Sequence, residues 1–199
     1  ELKKTETIDV MDAVGSNIRV DTYGWEVKRI LPRINDSINE EWISDKTRYA
    51  YDGLLKQRLD TPYVRENGKL QKASWDSALK ILVNKIRKFK PDEIAGIVGD
   101  LLDLESIYSF KSFLTNSVGT KNLEYRQARI YINPKERMNY IFNSTINGIE
   151  EADLILLVGS NPRLEATILN ARIRKAYTKK KIKIYSLGDV GELNYPYKV

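Results

Sequence analysis

Residues 154–162 decide the fold class, and they read Leu154-Ile155-Leu156-Leu157-Val158-Gly159-Ser160-Asn161-Pro162. Five consecutive aliphatic residues are typical of a strand that is buried in a parallel sheet. A tight loop follows, and Pro162 suits the first turn of a helix because an N–H there would have no partner. Strand, loop and helix in this order predict an α/β domain.

Alternating strands and helices extend from this stretch in both directions. After the loop, Ala166, Leu169, Ile173 and Ala176 recur at helical spacing, and residues 181–187 read as a strand. Upstream, two further strands are expected at 93–98, ending at Gly99-Asp100, and at 123–125. Between them lies a helix capped by Asp103 and stopped by Gly119. This alternation predicts a parallel sheet with helices on both faces.

The residues before this region predict a hairpin and an amphipathic helix. The turn of the hairpin falls at Asn67-Gly68, within residues 63–72. Ser74 is suited to cap a helix whose apolar residues, beginning at Trp75, share one face. We expect Trp25, Trp42 and Trp75 to anchor the core.

The first part of the chain predicts a separate, smaller fold. Three short extended runs within residues 5–31 favour a small antiparallel sheet. Residues 35–53 show little periodicity. The sequence therefore predicts two domains, a β-rich cap at 1–55 and the first part of an αβα domain at 56–199.

The composition excludes several kinds of site. The 199 residues contain neither Cys nor His, so this chain offers no disulfide, no thiolate-held iron–sulfur cluster and no zinc site of the usual kinds. Nucleophilic catalysis by Ser-His-Asp or Cys-His is excluded as well. No apolar run approaches the roughly 20 residues of a membrane helix.

The net charge of +6 reflects a late cluster of cations. Its members are Arg172, Arg174, Lys175, Lys179, Lys180, Lys181 and Lys183. A nucleic-acid patch is one interpretation. Because few aromatic residues interrupt the run, a solvated helix end is the simpler interpretation, and we expect no nucleic-acid partner.

Two groups of residues could bind ions, although neither has the spacing of an established ion-binding motif. The loop at Gly159 could present backbone N–H groups to a phosphate, but it has one glycine and no phosphate-binding fingerprint. Asp9, Asp12 and the acidic residues at 150–153 could hold a hard cation, yet they lack the spacing of a calcium loop. Glu150 and Glu151 are better explained as part of a short solvated helix.

Several stretches together carry a family resemblance. They are Thr5 to Ile18, Ile38 to Arg48, Arg58 to Tyr63, Tyr140 to Ile146, Gly148 to Asp153, Gly159 to Arg163 and Leu169 to Arg174. In this order they resemble the large iron–sulfur subunit of respiratory complex I, the NADH:quinone oxidoreductase. That subunit is similar in turn to molybdopterin oxidoreductases, and the resemblance runs nearly end to end.

The resemblance implies a lost cluster site in the cap. Relatives hold a four-iron cluster through Cys-x2-Cys-x3-Cys and a later fourth Cys. The same frame here carries Asp9, Asp12, Ser16 and, in the fourth position, Ser44. Hydroxyl and carboxylate oxygens are poor ligands for iron–sulfur cores. These positions are expected to be vestigial, with no metal bound.

The resemblance also implies a lost cofactor loop at Gly159, Ser160, Asn161, Pro162 and Arg163. It lies near the pterin in redox-active relatives. We therefore expect no catalytic residues and no cofactor in this chain, with the 4Fe–4S and 2Fe–2S clusters of the parent subunit lying upstream. The alternative is a fragment of an active molybdopterin-dependent oxidoreductase.

The implied role is structural support within the peripheral arm of complex I. Partners would be other peripheral-arm subunits, without insertion into the membrane. The location would be the cytoplasmic side of a bacterial inner membrane or the matrix side of the mitochondrial inner membrane. Because Glu1 is not an initiator Met, we expect an excerpt of a longer polypeptide.

Overall fold

A computed structural model describes residues 1–99, 101–125 and 132–199. The chain divides into two compact units, one formed by residues 1–56 together with 132–199 and the other by residues 57–131. Asp100, expected at the end of a strand, lies outside the described residues. No helix in the described ranges is long and apolar enough to cross a membrane.

The first unit begins with a three-stranded sheet. Its strands are β1 (Lys3–Ile8), β2 (Asn17–Tyr23) and β3 (Glu26–Pro32), paired antiparallel in the order β1-β2-β3. The tight turn after β2 uses Gly24 at a φ of +58°. The small antiparallel sheet predicted at the N-terminus is confirmed.

Asp21 is a fully buried charge in this sheet. Its carboxylate accepts hydrogen bonds from Arg19 Nε at 2.9 Å and Arg29 Nε at 2.7 Å. These hydrogen bonds lower the pKa of Asp21 below its ordinary value. The carboxylate is therefore compensated by two cations that lie on the same and the neighbouring strand.

A short helix that the sequence pattern did not predict follows the sheet. It is α1 (Asp45–Tyr49), and a 3-10 helix at Ala50–Leu55 continues it. Ser44 caps α1, because its side chain accepts from the N–H of Thr47. A five-residue helix is too short to show hydrophobic periodicity, which explains the miss.

The second unit contains the predicted hairpin and a parallel pair of strands. Its elements are β4 (Tyr63–Glu66), β5 (Lys69–Lys72), α2 (Trp75–Ile86), β6 (Ala95–Ile97), α3 (Leu104–Ser112) and β7 (Asn122–Glu124). β4 and β5 are antiparallel, and β6 and β7 are parallel. Ser74 and Asp103 cap α2 and α3 as predicted.

The rest of the first unit is a strand–helix–strand unit. A 3-10 helix at Asn147–Glu151 precedes β8 (Leu154–Val158), and α4 (Pro162–Glu165), α5 (Thr167–Lys180) and β9 (Lys183–Leu187) follow. β8 and β9 pair in parallel. α5 packs against one face of this pair, and the core there includes Leu157, Ile173, Ala176 and Ile184. The mixed α/β architecture is confirmed.

Two expectations about burial were wrong. β8 is not buried on both faces, because Leu154, Leu156 and Val158 are exposed while Leu157 is buried. Successive side chains of a strand point to opposite faces, and α5 covers only one of them. Trp25, Trp42 and Trp75 are all exposed, so they do not anchor the core.

Candidate functional site

The loop between β1 and β2 positions three of the four expected cluster-ligand residues. The N–H of Asp9 donates to the carbonyl of Ser16 at 2.8 Å, closing the loop at its base. Asp9 and Ser16 are buried, whereas Asp12 is partly exposed. Gly15 has a φ of +77°, which allows the chain to turn back into β2.

A hydrogen-bond chain connects Asp9 to the fourth position, Ser44. Thr47 Oγ1 donates to Asp9 Oδ2 at 2.5 Å, and the Ser44 and Thr47 hydroxyl oxygens lie 2.9 Å apart. The N–H of Met11 donates to the other carboxylate oxygen, Asp9 Oδ1, at 2.9 Å. The fold thus brings Asp9 and Ser44 to one place, with Thr47 between them.

Sequence reasoning missed Thr47. The signal available was the spacing Ser44-x-x-Thr47, which is the spacing of an N-cap and the N–H that it binds. That spacing predicts the local cap. It does not predict that the Thr47 hydroxyl reaches Asp9, 38 residues earlier.

Asp12 and Ser16 do not join this network. The Asp12 carboxylate accepts from the N–H of Val14 at 2.9 Å. Burial raises the pKa of Asp12 above its ordinary value, and the nearby Asp9 charge adds to that rise. The Ser16 hydroxyl is buried and has no hydrogen-bond partner within the described part of the chain.

These residues do not fit an iron–sulfur cluster. The donor set consists of oxygens, and the Asp9 and Ser44 oxygens are engaged with Thr47 and Met11. Iron–sulfur cores require soft thiolate ligands. Over residues 1–99, 101–125 and 132–199, no group of three or more His, Cys, Asp or Glu is placed to hold a metal ion.

The loop after β8 is also closed on itself. Ser160 Oγ donates to Glu165 Oε2 at 3.1 Å, and the N–H of Asn161 donates to Glu165 Oε1 at 2.9 Å. The Glu165 carboxylate therefore sits where an anionic ligand of the loop would sit. Gly159, at a φ of +57°, makes the turn that brings these groups together.

The remaining loop side chains are bound elsewhere. Asn161 Nδ2 donates to the carbonyl of Val190 at 2.6 Å, and Pro162 is buried in the first turn of α4. Arg163 Nη1 lies 3.2 Å from Glu192 Oε2. The Ser160 hydroxyl, the Asn161 N–H and side-chain amide and the Arg163 guanidinium are thus paired within the chain, so these donors are not free for a pterin phosphate. Sequence reasoning missed Glu165, although an acidic residue one turn after an N-cap is a recognisable signal.

An apolar cavity of about 860 Å³ adjoins this loop. Val14 from the cap, Tyr140, Phe142, Leu156 and Leu169 contribute to its walls, and Ser160 lies at its edge. Its lining is dominated by aliphatic and aromatic side chains, which favour packing against apolar groups.

A buried ion-pair cluster shows that the expectation of a solvated basic helix end was wrong for Arg172 and partly for Lys175. The other five cations of the run are exposed as expected. Arg172 is 3% exposed, and its Nη1 lies 2.6 Å from Glu150 Oε1. Lys175 contacts the Glu40 carboxylate and lies 3.0 Å from Glu150 Oε1. Glu150 is consequently mostly buried rather than solvated, whereas Glu151 is exposed as expected.

Electrostatics in this cluster stabilise the charged forms. Burial of Glu150 disfavours its carboxylate, but hydrogen bonds from Arg172 and Lys175 outweigh that effect and lower its pKa. Hydrogen bonds to Glu40 and Glu150 raise the pKa of Lys175. The cluster joins α5 to the cap, because Arg172 Nη2 also donates to the carbonyls of Asp36 and Ile38.

The chain is similar to known families and proteins. The family model described as NADH-ubiquinone oxidoreductase NDSU1/NuoG-like, 4Fe-4S domain, matches residues 2–52. The NADH-ubiquinone oxidoreductase 78 kDa subunit of Candida albicans mitochondria is 54% identical over 94% of this chain and 26% of its own length. An NADH-quinone oxidoreductase subunit of the bacterium Rickettsia conorii is 49% identical over 100% of this chain and 29% of its own length.

A plant protein is also similar to nearly the whole of this chain. The mitochondrial NADH dehydrogenase [ubiquinone] iron-sulfur protein 1 of Solanum tuberosum is 47% identical over 98% of this chain and 26% of its own length. The chain thus spans between a quarter and a third of the curated relatives it matches. The resemblance to complex I subunits is confirmed. The family model described as Molybdopterin oxidoreductase matches residues 58–199, so the chain belongs to the molybdopterin oxidoreductase family.

Proposed function

We propose that this chain is a structural, non-catalytic segment of the large iron–sulfur subunit of complex I. The whole protein would take part in electron transfer from NADH to quinone, coupled to proton pumping. One observation carries the proposal: the chain's own side chains pair with the candidate ligand groups at both places where the family resemblance implies a cofactor in redox-active relatives. Thr47 binds Asp9 in the cap, and Glu165 binds Ser160 and Asn161 in the loop.

The ligand atoms available in the cap support a structural role. Asp9, Asp12, Ser16 and Ser44 offer only oxygen ligands, and two of them are tied together through Thr47. A hydrogen-bond network of this kind holds the β1–β2 loop against α1 without a metal. We propose that the four positions are vestigial and that the network has replaced the cluster as the element that organises the cap.

The negative charge of Glu165 in the loop supports the same structural role. A bound phosphate and the Glu165 carboxylate would repel each other if both were present. Gly159 to Arg163 therefore act as a connection between β8 and α4 rather than as a cofactor cradle. Electrons would pass through clusters elsewhere in the whole protein, of the 4Fe–4S and 2Fe–2S types.

The domain organisation of the whole protein is part of the proposal. The two family models meet between residues 52 and 58, which supports a cap at 1–55 and an αβα domain from 56 onward. We propose that helices cover both faces of the complete sheet. The exposed face of β8, with Leu154, Leu156 and Val158, supports a covering layer there, because exposed apolar faces of this kind are normally packed.

Partners and location follow from the relatives. Those relatives are named as subunits of the NADH–quinone oxidoreductase, both mitochondrial and bacterial. We propose that this chain contacts other peripheral-arm subunits, on the cytoplasmic side of a bacterial inner membrane or the matrix side of the mitochondrial one.

Variants in the assembled complex test the structural role. Thr47→Val removes the donor to Asp9, and Glu165→Ala frees the loop. The expected result for both is a smaller amount of assembled complex, with unchanged NADH:quinone turnover per assembled complex. A redox role predicts the opposite, which is normal assembly with reduced turnover.

Metal analysis and optical absorption of the purified chain give a second, independent test. We expect iron and molybdenum far below one equivalent and no pterin chromophore. Stoichiometric metal or pterin would instead support the alternative, a fragment of an active molybdopterin-dependent oxidoreductase.

A further inference from the structure

A cavity of about 480 Å³ follows one face of α5. It is lined by Thr167, Asn170, Ala171, Arg174, Lys175, Thr178 and Lys179, with Asn194 from the C-terminal segment. Residues three, four and seven apart share a helix face, so the cavity runs for several turns of α5. Among the lining residues that the structure describes, three are cationic and none is acidic.

Asn170 presents an amide donor to this cavity. The residue is 5% exposed, and its Oδ1 accepts from the Tyr195 hydroxyl at 2.8 Å. Burial raises the pKa of Tyr195 to about 12, so the hydroxyl stays protonated and can donate. This contact fixes the amide orientation. Asn170 Nδ2 has no hydrogen-bond partner in the described ranges and is not fully enclosed, so it can donate to a ligand in the cavity.

Arg174 supplies a free cation one turn further along. Its guanidinium makes no ion pair with any described residue, in contrast to Lys175, which is committed to Glu40 and Glu150. Lys179 has only a long contact, 3.6 Å from Glu150 Oε2. The cavity wall therefore holds a guanidinium, an ammonium and an amide that can all donate to a ligand.

The two threonines of the cavity wall can accept hydrogen bonds from a ligand. Thr167 Oγ1 donates to the carbonyl of Arg163 at 3.1 Å, and Thr178 Oγ1 donates to the carbonyl of Arg174 at 2.9 Å. Since each hydroxyl has one proton, only its lone pairs remain for a ligand. These positions can accept hydrogen bonds from ligand hydroxyl groups.

We propose that this face of α5 binds a phosphate monoester that also carries hydroxyl groups. A guanidinium fork matches phosphate oxygens, and a phosphate offers further oxygens to Asn170 Nδ2 and Lys179. A carboxylate has only two oxygens and would leave one donor unpaired. The site is separate from the cluster positions and adjoins the Gly159 loop only through the Thr167 hydrogen bond to Arg163, and it does not depend on the structural role proposed above.

Calorimetric titration of the chain with glycerol 3-phosphate tests the site, with acetate as the carboxylate comparison. Vesicles of phosphatidylcholine with and without phosphatidic acid distinguish a lipid headgroup from a soluble ester. We expect binding of the phosphate that weakens as salt rises, and a shift of the Asn170 side-chain amide resonance on titration.

Arg174→Gln is the decisive variant because the residue is exposed and its loss should not disturb the fold. We expect it to weaken phosphate binding about tenfold or more. Arg58→Gln, an exposed arginine outside the cavity, is the matched control and should leave binding within about twofold. Binding to phosphatidic-acid vesicles alone, lost in Arg174→Gln, would assign the phosphate to a headgroup.

Several outcomes would overturn the proposal. They include no binding of either phosphate source, equal weakening by Arg174→Gln and Arg58→Gln, and acetate binding as tight as that of glycerol 3-phosphate. A titration that leaves the Asn170 amide resonance unmoved would remove Asn170 from the site and contradict the proposal as well.

Discussion

Arg172 in α5 and Glu150 before β8 form a buried ion pair, with Nη1 and Oε1 2.6 Å apart. The second terminal nitrogen of Arg172, Nη2, donates to the backbone carbonyls of Asp36 and Ile38 in the cap. One side chain thus connects three segments that are far apart in the sequence. A buried charge with several partners stabilises a specific arrangement only while all partners are present.

Replacing Arg172 by Met should destabilise the first unit strongly. The change leaves Glu150 buried with one cation fewer and removes two donors from the cap carbonyls. We expect a loss of about 3–5 kcal/mol in the free energy of unfolding, measured by urea denaturation. Arg174→Ala, two residues along and exposed, should cost no more than about 0.5 kcal/mol. Equal costs for the two variants would contradict the role of Arg172.

Stability should fall with acid through Glu150. The folded state lowers the pKa of this carboxylate from its ordinary value of 4.5. Its contribution is therefore fully present above about that pH and is lost as the pH falls through the folded-state value. Glu150→Gln should flatten the dependence of unfolding free energy on pH below about 4.5. Glu151→Gln, at an exposed side chain, should leave the slope as in the parent chain.

The Asp9–Thr47 hydrogen bond should contribute more to the free energy of unfolding than a hydrogen bond at the surface does. Thr47→Val removes the hydroxyl and leaves a buried carboxylate with one donor fewer, so we expect a loss of about 1–3 kcal/mol in unfolding free energy. Thr47→Ser keeps the hydroxyl and should restore much of that loss. The control is Thr7→Val on the exposed strand β1, which should have little effect. A Thr47→Val variant as stable as the control would show that the network is dispensable.

Restoring thiolates should restore a cluster. The combined variant Asp9→Cys, Asp12→Cys, Ser16→Cys and Ser44→Cys provides four soft ligands in the inherited frame. After anaerobic reconstitution we expect about four irons per chain and thiolate-to-iron absorption. The parent chain, treated identically, should show neither. Failure of the four-cysteine variant to bind iron while remaining folded would contradict the assignment of these positions.

The uncovered face of β8 should drive association. Leu156 is 58% exposed and lies between the similarly exposed Leu154 and Val158 on one face of the strand. Leu156→Lys places a charge in this patch and should lower the fraction of associated chains in sedimentation velocity. Trp25→Ser changes an isolated exposed apolar residue in the cap and is the matched control. Identical sedimentation of both variants and the parent chain would show that association does not use β8.

The preferences of neighbouring residues for turns and helix caps were sufficient to predict several elements. Asn67 and Gly68 both have positive φ, as the tight hairpin turn requires, and Ser74 and Asp103 cap the helices that their positions predicted. Gly119, at a φ of +83°, ends the helical segment that α3 begins. Each of these features depends on residues within one turn of each other. The positions of the cluster frame could also be found from the sequence, but only through the family resemblance.

Other features depended on distant partners and were missed or wrong. Trp25 looked like a core residue, yet it is fully exposed. Arg172 looked like part of a solvated run, yet its guanidinium reaches a carbonyl 136 residues earlier. Thr47 showed only the local cap spacing with Ser44, yet its hydroxyl reaches Asp9, 38 residues earlier.

The sequence by itself determined the composition of every potential site and the order of strands and helices, because ligand chemistry and backbone preference are properties of residues and their near neighbours. The tertiary structure alone decided which polar groups meet. A Thr47 hydroxyl on the Asp9 carboxylate, or an Arg172 guanidinium on the carbonyls of the cap, exists only once the chain has brought donor and acceptor within about 3 Å. Hydrogen bonds act over that short range, so residue type predicts what a group can bind and the fold determines what it does bind.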